Sequence, residues 1–148
     1  MSSQLLSQLQ RRVLLLDGAM GSAIQVIDLD VQRDYLGHEN CVDLLVKSRP
    51  ELIEKIHTEF LDAGADMVET DTFGANKLVF AEFGEELIPL TRQINREAAQ
   101  IARAACEKYT TAQRPRFVLG SMGPGTKLIT LGQTTWEEML DSYLEQAR

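Results

Sequence analysis

Three short apolar runs in this chain end in the same way. Val13-Leu14-Leu15-Leu16 stops at Asp17-Gly18-Ala19-Met20-Gly21-Ser22. Ala65-Asp66-Met67-Val68 runs into Glu69-Thr70-Asp71-Thr72-Phe73-Gly74, and Phe117-Val118-Leu119 runs into Gly120-Ser121-Met122-Gly123-Pro124-Gly125. Short apolar runs closed by glycine and small polar residues, with helical patterns between them, read as buried parallel strands that open into loops. An α/β architecture follows, and in such folds ligands sit at the carboxyl ends of the strands.

The segments between the runs carry helix signals. Ser2 or Ser3 is expected to cap a first helix whose Leu5, Leu6 and Leu9 share a face that packs under the first strand. Gly21 to Ile27 reads as a helical turn, and Asp28 to Val46 as an irregular connection of the length that often carries function. Ser48-Arg49-Pro50-Glu51 has the pattern of a capping box, and Gly64 closes the helix it starts. The stripe of that helix is Leu52, Ile53, Ile56, Phe60 and Ala63. A short helix is expected near Lys77 to Phe83, broken by Gly84, and a long one from about Glu86 to Tyr109 with Leu90, Ile94, Ala98, Ile101, Ala102 and Ala105 at helical spacing. Thr134 and Thr135 each have a glutamate three residues on. Either can cap a last helix whose expected face is Trp136, Met139, Leu140, Tyr143 and Leu144, with Trp136 in the core.

Strands starting near 13, 66 and 117 give two β-loop-α units, longer than the ~31 residues per unit of a (β/α)8 barrel. Periodicity does not separate such a barrel from an open doubly wound sheet. The last helix meets no stop signal before Arg148, so the chain is expected to break off inside a larger domain.

Charge narrows the function classes. A formal net charge of −7 with no basic cluster argues against a nucleic-acid partner. No stretch approaches the ~18 apolar residues of a membrane span, and Met1 to Arg12 is amphipathic, unlike an export signal. Cys41 and Cys106 have neither disulfide nor zinc-knuckle spacing, which fits a reducing, cytoplasmic setting.

Two glycine-rich segments mimic nucleotide sites and fail on chemistry. Gly120 to Lys127 has P-loop spacing, but threonine precedes lysine and Pro124 removes an amide donor, while Gly18 and Gly21 lack the third glycine of a dinucleotide fingerprint. Asp17-Gly18-Ala19-Met20-Gly21 suits a small amino acid better: the turn exposes amides for a carboxylate, and Asp17 accepts from an ammonium group or else caps the next turn. Glu69 and Asp71 alternate along a strand and point the same way, as an acid-base or metal-binding pair or as partners of a helix end or an arginine. A magnesium-dependent aldolase or hydrolase built on those two, or a non-catalytic binding module, stand as alternative functions. His38 and His57 have no metal-ligand spacing, and a lone helical histidine such as His57 reads as structural.

Taken in order, Asp17-Gly18-Ala19-Met20-Gly21-Ser22, Asp43-Leu44-Leu45 through Arg49-Pro50-Glu51, Ile56-His57, Ala63-Gly64-Ala65-Asp66, Glu69-Thr70-Asp71-Thr72-Phe73 and Gly120-Ser121-Met122-Gly123-Pro124 resemble the start of the homocysteine-binding domain of the homocysteine S-methyltransferases, nearest to their cobalamin-dependent, methionine-forming branch. The resemblance covers nearly the whole chain. It implies that residues 1–148 are the first three β/α units of a (β/α)8 TIM barrel, one domain incomplete at its C-terminus. In the parent, homocysteine would lie at the strand ends, its sulfur held as a thiolate by zinc on three cysteines and attacking the methyl group of methylcobalamin. Those cysteines belong to later strands and match neither Cys41 nor Cys106, so this part alone is expected to be inactive and without bound cofactor, and three units of eight, with two sheet edges and the inner strand faces uncovered, are expected to show poor stability or association. The resemblance further implies folate and cobalamin modules downstream in the same chain; betaine, S-methylmethionine or folate are alternative methyl donors. Asp17, Gly18, Ala19, Met20 and Gly21 would contact the amino-acid end of homocysteine, Glu69, Thr70, Asp71 and Thr72 would line the pocket, and Ser121 and Gly123 would shape its third side. Asp71 stands where the family usually has asparagine, which exchanges an amide donor for a possible charge.

Overall fold

The structure is a computed structural model and describes residues 4–148. Its centre is a parallel pair of strands, β1 (Met67–Glu69) and β2 (Phe117–Leu119), in the register Met67 to Phe117, Val68 to Val118 and Glu69 to Leu119. The first apolar run lies beside β1 and makes a single parallel bridge, Leu16 to Met67. Leu15 O accepts from the Asp66 and Met67 amides at 2.7 and 3.1 Å, and the Asp17 amide donates to Met67 O at 3.0 Å. All three expected strands therefore hold parallel positions, though shorter than the apolar runs suggested.

Alternation sends Val68 and Val118 to one face, where Leu61, Ala102, Ala105 and Cys106 cover them. Leu16, Met67, Glu69, Phe117 and Leu119 share the other face, and Leu16 remains 42% exposed. The core thus lies on one side of the sheet. It continues as two further apolar clusters, one around Leu44, Phe80, Ile94 and Ala98, the other around Ile24, Leu45, Leu52, Ile53 and Ile56. Each fully buried isoleucine or phenylalanine contributes about 1.5–3 kcal/mol.

The helices are α1 (Gln4–Leu9), α2 (Met20–Gln25), α3 (Leu45–Ser48), α4 (Pro50–Asp62), α5 (Lys77–Phe83), α6 (Thr91–Tyr109) and α7 (Trp136–Gln146). The proposed caps at Ser2 and Ser3 lie outside the described residues. On α1 no residue is fully buried: Leu5 is half-buried, and Leu6 and Leu9 are about half exposed. The connection after α2 is not wholly irregular: a 3-10 turn (Val42–Leu44) leads into α3, and buried Asp34 anchors the loop through Arg33 and Arg49.

On α4 the capping box does not form. Ser48 already ends α3, so its hydroxyl turns back to Leu44 O and Asp34 O, Arg49 takes the cap position, and Glu51 binds Arg49 instead. Leu52, Ile53 and Ile56 are buried as expected, but Phe60 is half-buried and Ala63 exposed. Gly64 closes the helix with φ +106°, a conformation that side chains with a Cβ resist. The long helix begins later than its pattern suggested. Pro89 lacks the amide an α-helix needs, so Glu85–Leu90 winds as a 3-10 turn and α6 starts at Thr91.

The largest departure is α7. Thr135 and Glu138 do form a capping box. Yet Trp136, Leu140 and Leu144 are 72, 60 and 44% exposed, while the buried residues are Ser142 and Gln146. Met139 and Tyr143 are half-buried, and the inner side of α7 makes hydrogen bonds to the strand-end loops.

Candidate functional site

At the carboxyl ends of the strands, Asp17, Glu69 and Ser121 come together. Both Asp17 carboxylate oxygens accept from the Glu69 amide at 3.1 Å, and the Ser121 hydroxyl donates to Glu69 Oε2 at 3.3 Å. Asp17 thus does not cap α2, whose cap position is Ala19. Burial pushes the Asp17 carboxyl up to about 6, with the Glu69 amide opposing. Directly after it, Gly18 and Ala19 are exposed, and the first amides of α2 have no carbonyl one turn back to bond. A half-buried carboxylate beside exposed donors offers complementary ends to a small zwitterion.

Glu69 and Asp71 do not act as a pair. The strand ends at Glu69, and the chain then carries Asp71 into the interior, 4% exposed, beside Asp43. Burial and the neighbouring Asp43 raise the Asp71 carboxyl well above its ordinary range, and Asp71 Oδ2 has no hydrogen-bond partner. Asp43, pushed up to about 6 by burial, accepts from the Gly74 amide at 3.0 Å and holds the loop after β1. Among the described residues neither Glu69 nor Asp71 caps a helix or pairs with an arginine. A magnesium site needs both carboxylates on one ion, and this division does not favour it.

Burial beside Asp43 favours the neutral acid form of Asp71, which carries an O–H donor where asparagine would carry an amide. The consequence is testable through pH. Unfolded, Asp71 loses its proton near ~3.9, whereas folded it holds it to higher pH. Across that interval the unfolded chain binds fewer protons, so this group's contribution to stability falls as pH rises. Asp71→Asn is therefore expected to melt higher than the parent, by a margin absent near pH 4 and growing toward neutrality in thermal scans. A margin that shrinks with rising pH would contradict the assignment.

Thr70 and Thr72 are buried, and their hydroxyls serve the protein. They bond each other at 2.6 Å, Thr70 Oγ1 accepts from the Ser121 amide at 3.0 Å, and Thr72 donates to Ser121 O at 2.8 Å. Gly123 is fitted just as closely. Its amide donates to Phe73 O at 3.0 Å, and an added Cβ would lie 2.6 Å from that oxygen. Helix α7 braces this ring: Gln146 Nε2 donates to Thr72 O at 2.8 Å, Tyr143 to Gly123 O at 2.7 Å, and Ser142 to Asn76 Oδ1 at 3.2 Å. Sequence reasoning missed Asp43, Ser142 and Gln146. The available signal was that Ser142 and Gln146 are one turn apart on a helix whose apolar stripe was assigned to the core.

The remaining polar candidates stand away from this ring. His57 is fully buried with neither ring nitrogen bonded, and burial lowers its pKa to about 4, the state of a neutral structural histidine. Burial pushes the Cys41 and Cys106 thiols up to about 12 and about 11, against the thiolate that zinc requires. No group of three His, Cys, Asp or Glu among the described residues is placed to hold a metal. The zinc the family resemblance implies does not fit the residues described here.

The family model described as homocysteine S-methyltransferase matches residues 14–148. Methionine synthases of Mycobacterium leprae (strain TN) and Mycobacterium tuberculosis (strain ATCC 25618 / H37Rv) are each 41% identical over 145 residues, which is 98% of this chain and 12% of theirs. Crystal structures of the homocysteine methyltransferase MmuM from Escherichia coli, oxidized and metallated, superimpose with TM-scores of 0.67 and 0.65 at 21% identity. They cover 98 and 96% of this chain and 54% of their own, and show a shared fold.

Proposed function

Because this chain belongs to the homocysteine S-methyltransferase family, we propose that it forms the substrate-holding side of a homocysteine-binding barrel in a cytoplasmic, methionine-forming methyltransferase. Residues 1–148 would be the first three β/α units of one barrel domain, with folate and cobalamin modules further along the parent chain. Among the described residues no helix is long and apolar enough to cross a membrane.

The observation that carries the reading is the carboxylate of Asp17, half-buried and next to exposed amides at a strand end. Asp17 would accept from the ammonium group of homocysteine, and the amides of Gly18, Ala19, Met20 and Gly21 would receive its carboxylate. Glu69 and Ser121 stand across from Asp17 and bound the pocket. Thr70, Thr72 and Gly123 act one step back, by holding the two strand ends in register, and buried Asp71 fills the interior behind them. Zinc and methylcobalamin enter only as groups that other residues of the parent would hold, since Cys41 and Cys106 are unsuited. Betaine, S-methylmethionine or a folate as methyl donor would leave these assignments intact.

Calorimetric titration of the parent protein with homocysteine tests the reading. Asp17→Ala is expected to weaken binding at least tenfold, about 1.4 kcal/mol. Affinity in the unsubstituted protein should also fall as pH drops through about 6, where Asp17 takes up its proton. Unchanged affinity on replacing Asp17 would overturn its role.

A further inference from the structure

Two carboxylates lie together inside the fold, behind the strand ends. Asp43 is 3% and Asp71 4% exposed, and the described residues alone enclose both. Among those residues neither is paired with an arginine, lysine or histidine, and Asp71 Oδ2 accepts no hydrogen bond. A buried charge is costly unless it is paired, and two like charges in one interior site oppose each other's ionisation.

The two side chains join different segments. Asp43 belongs to the turn Val42–Leu44, and its Oδ1 accepts from the Gly74 amide at 3.0 Å. A Cβ on Gly74 would lie 2.8 Å from Asp43 Oδ2, so this carboxylate sits directly against the backbone of the loop after β1. Asp71 is part of that loop, between two threonines that tie it to β2. The Thr70 amide donates to Leu119 O at 2.9 Å, Thr70 Oγ1 accepts from the Ser121 amide, and Thr72 donates to Ser121 O. Any movement of Asp71 away from Asp43 therefore pulls on the bonds that hold the two strand ends in register.

The surroundings supply no counter-charge. Asp71 opposes ionisation of Tyr35 and Cys41 as well. The helices packed on β1 bury one titratable group each, His57 on α4 and Cys106 on α6. At neutral pH His57 is uncharged and both thiols keep their protons. The Gly74 and Ala75 amides favour the anion of Asp43, which makes it the first of the pair to ionise.

We propose that Asp43 and Asp71 form a proton-operated catch on the loop after β1: the proton kept on Asp71 holds the loop against the Val42–Leu44 turn, and its loss drives the two carboxylates apart and loosens the joint between β1 and β2. Both carboxyls lose their protons at higher pH folded than unfolded, so rising pH strains the folded state. The strand-end site is then firmest at mildly acidic pH and slackens toward alkaline pH.

The test is amide hydrogen exchange of the complete parent protein without ligand. It is read by mass spectrometry at about pH 6 and about pH 9, on either side of the second ionisation, and corrected for the intrinsic pH dependence of exchange. Peptides covering residues 70–76 are expected to lose protection at least tenfold at the higher pH, while those within α6 change less than threefold. In Asp71→Asn, which keeps the size and cannot ionise, the loss should fall below threefold. Asp43→Asn removes the other charge and should cut the loss likewise. Equal protection of residues 70–76 at the two pH values in the parent, or a tenfold loss that persists in either variant, would overturn the proposal. With no ligand present, the outcome is independent of whether homocysteine binds at Asp17.

Discussion

Asp66→Ala is expected to lower the free energy of unfolding by about 3–5 kcal/mol, the cost of leaving a buried charge without its partner. The Asp66 side chain is 1% exposed and receives Arg12 at 2.7 Å, Arg114 at 3.0 Å, Arg116 at 3.4 Å and the Leu15 amide at 3.1 Å. These contacts, Arg12 foremost, hold its carboxyl well below the usual range. Arg12 and Arg114 reach water and would be resolvated, whereas the Arg116 side chain is only 6% exposed and would stay uncompensated. Because Leu15, Asp66 and Arg116 begin three neighbouring strand positions, the loss would also loosen their register. Against a typical total of ~5–15 kcal/mol, the change is large enough to read in urea titrations. Asp66→Asn keeps the size and the Leu15 bond, and should lose most of the same energy; a loss under about 1 kcal/mol for both variants would contradict a buried hub of this kind.

Gly123→Ala should have the second largest effect on the fold, about 1–3 kcal/mol as an overpacking change. The atom in the way is the Phe73 carbonyl oxygen, 2.6 Å from the added Cβ, with Phe73 ring carbons at 2.7 Å. The ring can rotate, but the backbone oxygen moves only if the loop after β1 moves. That shift would break the Gly123 to Phe73 bond and displace Thr72, so homocysteine binding in the parent should weaken together with stability. Gly120→Ala is the control, since nothing lies within 4 Å of its added Cβ. Equal melting curves and equal affinities for the two alanine variants would show that the loop contact is not required.

Much of the fold could be read from local chemistry. The three apolar runs became parallel strand positions, Gly64 closed α4, Thr135 and Glu138 capped α7, and the alanine-rich stripe of α6 went into the core. Each of these depends on residues a turn apart or less. Ser48 and Pro89 misled for the opposite reason. Ser48 had a competing backbone partner at the end of α3, and Pro89 withheld an amide at a place where the side-chain pattern alone looked helical.

The candidate site was legible as a set of loops and not as a set of roles. Asp17, Glu69 and Ser121 meet as expected at the strand ends. The placement of Asp71 beside Asp43 was not foreseeable, because the strand stops one residue too early for alternation to apply, and the partner lies 28 positions away. Nor could spacing show that the Thr70 and Thr72 hydroxyls bond each other.

By itself the sequence determined where the strand positions lie, which loops carry carboxylates and glycines, and to which family the chain belongs, since these follow from residue type and short-range order. Tertiary structure alone decided burial, charge pairing and division of labour. It buried Asp71 against Asp43, left Asp17 half open, and turned Ser142 and Gln146 of α7 inward. The physical reason is that burial and charge pairing are set by which segments meet, and segments far apart in the chain meet only once it has folded.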